Sequence, residues 1–442
     1  MPVIHPHAAG IDIGSRSHYV AVGQGRDHVF EFGVDSDSHK QLIATLTRFG
    51  ITSVAMESTG SYWQPLFALL QQSGFKVLLV NGNQTSHPRS KTDVQDCQRI
   101  QLLHSLGVLR GSFLPDGQTL QLRNLTRHRD GLIRSIARYT NKIQKTLRLM
   151  NIRLDVAIRD VVGKSGRAII EAIIGGEQDA HRLAALADSR VKKSQAELVS
   201  LLAGQWGDPT LLFELSECYD LLQVHERHVV RCDQHIESLL AEARPMCDAP
   251  AGTTTATAKI KQLKGKNRCT ADLRKHCTSI LGTDLFELPG IGPGVVLTFI
   301  SEVGTGIQEF PNAAAFAKWL CLAPNNRITG GRVVSSRTDK GGPKLGKALR
   351  DGANALGRMK GDDPLVQFFR RIAYKKGRGA AITATARKLA VLLWKAVVEK
   401  MVYDPTPSSE HEAELKRREL RRIRKHAERF AITIDEISAI LG

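Results

Sequence analysis

The chain has 442 residues, with 62 Lys and Arg against 44 Asp and Glu, and this length allows two or three domains while excluding a single small binding module. The net charge of +18 suits a polyanionic partner such as DNA or RNA, a property shared with ribosomal, heparin-binding and membrane-surface proteins. The longest apolar runs, 77–80 and 390–394, are too short for a bilayer, and the N-terminus lacks a signal layout, so a soluble, cytoplasmic protein without membrane contact is expected.

Residues 1–112 alternate strand and helix signals. Short strands are predicted over 9–14 and 18–22, a helix over 40–49, a strand over 51–56, a helix over 65–74 and a buried strand over 75–80. This pattern predicts an α/β domain with a mainly buried sheet. Asp12 lies between Ile11 and Ile13 in an apolar strand, where a carboxylate is costly unless it meets a cation or a strong donor. Glu57 ends the strand before the turn Ser58-Thr59-Gly60. Asp93 and Asp96 share one helix face, behind Thr92 as N-cap with Gln95 as its capping-box partner. Clustered carboxylates in a basic chain suit Mg²⁺, or Mn²⁺, because hard cations take oxygen ligands and leave room for phosphate. Two such ions about 4 Å apart would serve both the attacking and the leaving oxygen of a phosphodiester. Taken singly, Asp93 also reads as an N-terminal helix acid and Glu57 as a surface charge.

A helical region follows over 113–245. Its first helix, predicted over 120–154, carries an apolar stripe (Leu122, Leu125, Leu132, Ile136, Ile143, Leu147) and a basic face. Arg127, Arg134 and Arg138 on that face are candidate nucleic-acid contacts, with a merely solvated face as the alternative. Residues 166–243 look helical throughout, and 211–240 suit a helical hairpin or coiled coil. A basic linker is expected over 246–277, Ala/Thr/Gly-rich at 249–258. Cys269, His276 and Cys277 lie close but lack a second half for zinc, and seven cysteines without paired spacing fit a reducing compartment.

A mainly α segment, 278–403, opens with Leu288-Pro289-Gly290-Ile291-Gly292-Pro293-Gly294. That stretch reads as a helix-hairpin-helix turn facing a phosphate, or equally as a plain tight turn. A loop over 323–342 then gathers Thr329, Gly330, Gly331, Arg332, Ser335, Ser336, Arg337 and Lys340, where glycines let a backbone approach a phosphodiester and basic residues stabilise its charge. A basic helical tail, 404–442, completes the chain.

Gly10-Ile11-Asp12-Ile13-Gly14, Glu57-Ser58-Thr59-Gly60-Ser61-Tyr62 and Lys91-Thr92-Asp93-Val94-Gln95-Asp96 together resemble the DEDD insertion-sequence transposases, the family of bridge-RNA-guided recombinases. The resemblance covers the N-terminal domain and residues 288–401. It implies a RuvC-like, RNase H-type fold with Asp12, Glu57, Asp93 and Asp96 as metal ligands. It further implies a non-coding bridge RNA pairing with donor and target double-stranded DNA, and a covalent phosphoserine link. In that family the serine nucleophile stands just before a glycine, five residues after a proline; counting from Pro324 gives Thr329 here. Ser335 and Ser336 are therefore candidates beside Thr329, favoured because primary hydroxyls attack phosphorus with less hindrance. Arg332, Arg337 and Lys340 would stabilise the phosphate. Strand exchange joins two duplexes, so a homodimer or homotetramer is expected, with 166–243 as candidate interface.

Three other readings compete. A hydrolytic junction nuclease would use the same acids with water as nucleophile. An actin-like ATPase would share the Asp12-Ile13-Gly14-Ser15 turn but needs a second phosphate loop, which the sequence lacks. A nonenzymatic nucleic-acid scaffold would leave the acids unused, and an aromatic content of 5% argues against base stacking as its principal binding mode.

Overall fold

The computed structural model describes residues 2–58, 60–85, 92–246, 267–339, 341–361 and 363–405, with short pieces of the tail at 416–417, 420–424 and 427–428. It divides into two compact units, Met1–Leu114 and Pro115–Gly442.

The first unit is a five-stranded mixed sheet: β1 (Ala8–Ile13), β2 (Ser17–Ala21), β3 (Val29–Gly33), β4 (Ser53–Glu57) and β5 (Lys76–Val80), in the order β3-β2-β1-β4-β5. β1 pairs antiparallel with β2 and parallel with β4, and β5 runs parallel to β4. Side chains alternate across a strand. Ala9, Ile11 and Ile13 of β1 therefore join Val54 and Met56 of β4 in one core, closed by Leu42 and Leu46 of α1 (Ser36–Arg48) and Leu66 and Leu70 of α2 (Trp63–Gln72). After the short α3 (Gly82–Thr85), α4 (Asp93–Ser105) covers the other face. Gln101 there donates to the Ala8 carbonyl at 3.1 Å, and Ser53 Oγ lies 2.7 Å from His104 Nε2. Gly10 makes this contact sterically feasible, since a Cβ there would stand 2.2 Å from the Gln101 nitrogen and 2.5 Å from the Cys97 oxygen. The strand β3 was not expected from sequence: it is a five-residue edge strand, half exposed, with no buried residue to mark one face.

In the second unit, α5 (Gly117–Leu149) starts at Asp116, whose carboxylate accepts the Thr119 N–H at 2.7 Å, and packs along the Pro209–Ala241 helix. Ile136, Ile143 and Leu147 meet Leu215, Tyr219 and Leu222 in a buried cluster. Residues 166–243 are helical in pieces rather than throughout. The helix Lys164–Ile174 stops at Gly175 and Gly176, the latter at φ +92, and new helices begin at the Asp179, Ser194 and Asp208 caps. Capping chemistry there overrides the apolar periodicity. Further helices follow at Leu273–Leu281, Pro293–Glu302, Ala313–Trp319, Lys344–Leu356, Pro364–Lys376 and Arg378–Val398. Most of the expected linker, 247–266, and most of the basic tail lie outside the described residues. Among the described residues, no helix is long and apolar enough to cross a membrane.

Candidate functional site

The acids gather at one end of the first unit's sheet. Asp12 and Glu57 each follow the paired residues Ile11 and Met56, so they occupy neighbouring ends of the parallel strands β1 and β4. Alternation turns both away from the apolar core, toward the face that α4 covers. α4 runs antiparallel to β1, with Gln101 beside Ala8 and Cys97 beside Gly10, so its first turn, bearing Asp93 and Asp96, comes to the same strand ends. The expected Thr92 cap is present: its hydroxyl accepts the Gln95 N–H at 3.3 Å.

Asp12, Asp93 and Asp96 act electrostatically on residues of this same end of the sheet. The buried Cys97 thiol is pushed up to about 12, by burial first and then by the Asp12 carboxylate, with a smaller contribution from Asp96. Tyr19, opposite Asp12 in the β1–β2 ladder, has its phenol raised by its hydrogen bond to Glu31 and, more weakly, by Asp93. Asp12, Glu57 and Asp96 are half-buried and Asp93 is exposed. Sequence reasoning missed Thr85, whose hydroxyl donates to Glu57 Oε2 at 2.6 Å; nothing within 28 residues of separation links the two by pattern. Gly82 gives the Glu57 carboxylate its space, because a Cβ there would lie 2.6 Å from Oε1. This all-oxygen donor set fits a hard divalent cation. Among the described residues, no three His, Cys, Asp or Glu side chains already stand close enough to share one ion. Thr59 and Lys91 of the flanking motifs lie outside the described residues.

The hydroxyl-bearing segment belongs to the second unit and is a hairpin rather than an open loop. β6 (Arg327–Thr329) and β7 (Arg332–Ser335) pair antiparallel, with Thr329 opposite Arg332. Gly330 and Gly331 close it at φ +55 and +72, the left-handed pair that a two-residue turn of this twist requires. Such Gly-Gly turns are a legible hairpin signal, and the flanking Arg327-Ile328-Thr329 is too short to read as a strand alone. Below the hairpin, the Asn325 N–H donates to the Arg337 carbonyl at 3.0 Å, and the Asn325 amide to Asp339 at 2.9 Å. Thr329, Ser336, Arg332 and Arg337 are exposed, whereas Ser335 is half-buried and accepts the Arg337 N–H at 3.4 Å. Lys340 lies outside the described residues.

The basic face of α5 is only partly available to a ligand. Arg127 makes two hydrogen bonds to the buried Glu302 carboxylate, at 2.9 and 2.8 Å, and Arg129 pairs with the buried Asp233. Arg134 and Arg138 remain exposed. The turn 288–294 leads into the Pro293–Glu302 helix and lines a cavity of about 630 Å³ with Arg129, Arg268 and Lys344. His276 Nε2 sits 2.7 Å from Glu237, while burial pushes the thiols of Cys269 and Cys277 up to about 11 and about 12.

Two family models match. One, a DEDD transposase model of the IS110 type, covers residues 9–152 and so includes all four acids; the other, described as the transposase IS116/IS110/IS902 family, covers residues 283–365, including the hairpin. No curated protein matches the chain. Both models describe one kind of transposase, they fall in order along the chain, and together they span about half of it; the chain belongs to the DEDD insertion-sequence transposases of the IS110 type, enzymes that act on DNA.

Proposed function

We propose that this transposase cuts and rejoins donor and target DNA with two sets of groups, the acids Asp12, Glu57, Asp93 and Asp96 of the first unit and a hydroxyl of the second unit's β6–β7 hairpin. The observation that carries the reading is that two strand ends and one helix N-terminus, each bearing carboxylate, lie at one end of the sheet. The strand order, with β1, β4 and β5 parallel and β2 antiparallel to both of its neighbours β1 and β3, supports a RuvC-like, RNase H-type domain. The four acids would hold two Mg²⁺ ions, or Mn²⁺, in keeping with the family's use of divalent metals. Bound there, the ions supply Lewis acidity at phosphate oxygens. β1 and β4 hold Asp12 and Glu57 in place, Thr85 orients the Glu57 carboxylate, and the exposed first turn of α4 adjusts Asp93 and Asp96.

The hairpin hydroxyl attacks a DNA phosphorus: its oxygen forms the new P–O bond, a sugar oxygen leaves with the proton, and the ester retained permits rejoining without ATP. Thr329 stands beside two glycines without side chains, which leaves the backbone open to a phosphate, and Arg332 faces it across the ladder. Ser336 is exposed as well; the half-buried Ser335, engaged with the Arg337 N–H, ranks behind both. Arg332, Arg337 and Lys340 would stabilise the phosphate charge, and the exposed Arg134 and Arg138 would hold nucleic acid. Readout by a bridge RNA, and a homodimer or homotetramer that brings two duplexes together, complete the reading; the net charge of +18 supports the first.

Trapping of protein–DNA adducts tests it. Adducts should require divalent metal, fall on Asp12→Asn, and vanish for one of Thr329→Val, Ser335→Ala or Ser336→Ala. Nicked DNA without any adduct would replace this reading with a hydrolytic nuclease. Sequencing of copurified RNA tests the guide, which a protein purified free of RNA yet active on DNA would eliminate.

A further inference from the structure

Residues 364–398 form two successive helices, Pro364–Lys376 and Arg378–Val398, carrying eight Lys or Arg and not one Asp or Glu. Elsewhere in this unit several basic side chains are matched by acids, as Arg127 is by Glu302, Arg129 by Asp233 and Arg148 by Asp155. Here, among the described residues, Lys395 alone of the eight forms an ion pair, with Glu399 at 3.9 Å. The cations are drawn together over aromatic rings instead. Arg371 and Lys388 stand 5.6 and 4.1 Å from the centre of the Phe368 ring, and Arg378 lies 5.6 Å from that of Phe369. The Lys388 ammonium is held below its ordinary range by partial burial of its head and then by the Arg371 charge beside it. Beside this patch, at the end of the first helix, Tyr374 is 93% exposed and is followed by exposed Lys375 and Lys376. A large aromatic left in water among cations is the arrangement that grips single strands: the ring stacks on a base and the cations hold the flanking phosphates.

We propose that the 364–398 helical pair is a docking surface for single-stranded DNA, with Tyr374 stacking on an unpaired base and Arg371, Lys375, Lys376 and Lys388 holding the phosphates. DNA is the nucleic acid on which this family acts, and the choice of single strands rests on the function proposed above, in which strand exchange generates unpaired bases. Duplex DNA keeps its base faces stacked on one another, so the ring would find no base to stack on there.

Fluorescence anisotropy of the full chain with a labelled oligothymidine tests the surface. Tyr374→Ala should weaken binding roughly 5- to 100-fold and Tyr374→Phe should preserve it. Arg371→Ser with Lys388→Ser should lower the slope of log affinity against log salt by about 1.4. Unchanged affinity in Tyr374→Ala, stronger competition by an equivalent RNA or duplex, or a change of sedimentation coefficient in Tyr374→Ala would each overturn the assignment. Asp12→Asn should bind the oligonucleotide normally, so that failure of this surface and failure of the carboxylate reading are told apart.

Discussion

Gly10→Ala probes the contact that brings the acids together. The new methyl would sit 2.2 Å from the Gln101 nitrogen, 2.5 Å from the Cys97 oxygen and 2.8 Å from the Gln101 Cα, all backbone atoms, where ordinary contact starts at 3.4 Å. No rotamer change relieves that, so α4 must retreat from β1 by about an ångström, at an overpacking cost of about 1–3 kcal/mol. α4 carries Asp93 and Asp96, and β1 carries Asp12, so the same retreat would move the acids of the proposed site apart. A misplacement of about 1 Å costs on the order of 100-fold in rate. The assay is metal-dependent cutting of supercoiled DNA, together with a thermal melt that should fall by roughly 5 °C or more. Gly131→Ala in α5 is the control, since its Cβ meets nothing nearer than 4.0 Å; it should keep activity and gain about 0.5–1 kcal/mol. Full activity and an unshifted melt in Gly10→Ala would refute the argument that α4 must lie on this strand for the acids to act together.

Other consequences follow from buried charge. Glu302 is 3% exposed and holds Arg123 and Arg127, so Glu302→Ala should destabilise by about 3–5 kcal/mol in urea unfolding, whereas a loss under 1 kcal/mol would show the pairs to be dispensable. His18 and His104 are buried and held down to about 4 by burial, so the folded form resists protons that the unfolded chain accepts near 6.5. Their stabilising effect is complete above pH 6.5 and is lost as pH falls toward 4, up to about 3 kcal/mol each. Urea midpoints against pH should show this slope, flattened in His104→Asn. Arg134→Ser with Arg138→Ser should reduce the salt dependence of duplex binding by about 1.8 in log–log slope; an unaltered slope would remove α5 from the interface.

The sequence by itself determined the alternation of elements in residues 1–112, the carboxylate at each strand end, the Thr92 cap and the long amphipathic α5, because each is written in local periodicity or capping chemistry. It also carried the family motifs that the two matching models recognise. Tertiary structure decided what depends on partners remote in sequence. Thr85 reaches Glu57 across 28 residues, and Arg127 is engaged by Glu302 across 175, so a helix face that reads as uniformly basic is divided between internal ion pairs and solvent. β3 and the β6–β7 hairpin are short and exposed, with too little buried apolar surface to leave a strand pattern. That Asp12, Glu57, Asp93 and Asp96 lie toward one end of one sheet was fixed by the pairing of β1 with β4 and by the helix that Gly10 admits, neither of which local propensity encodes.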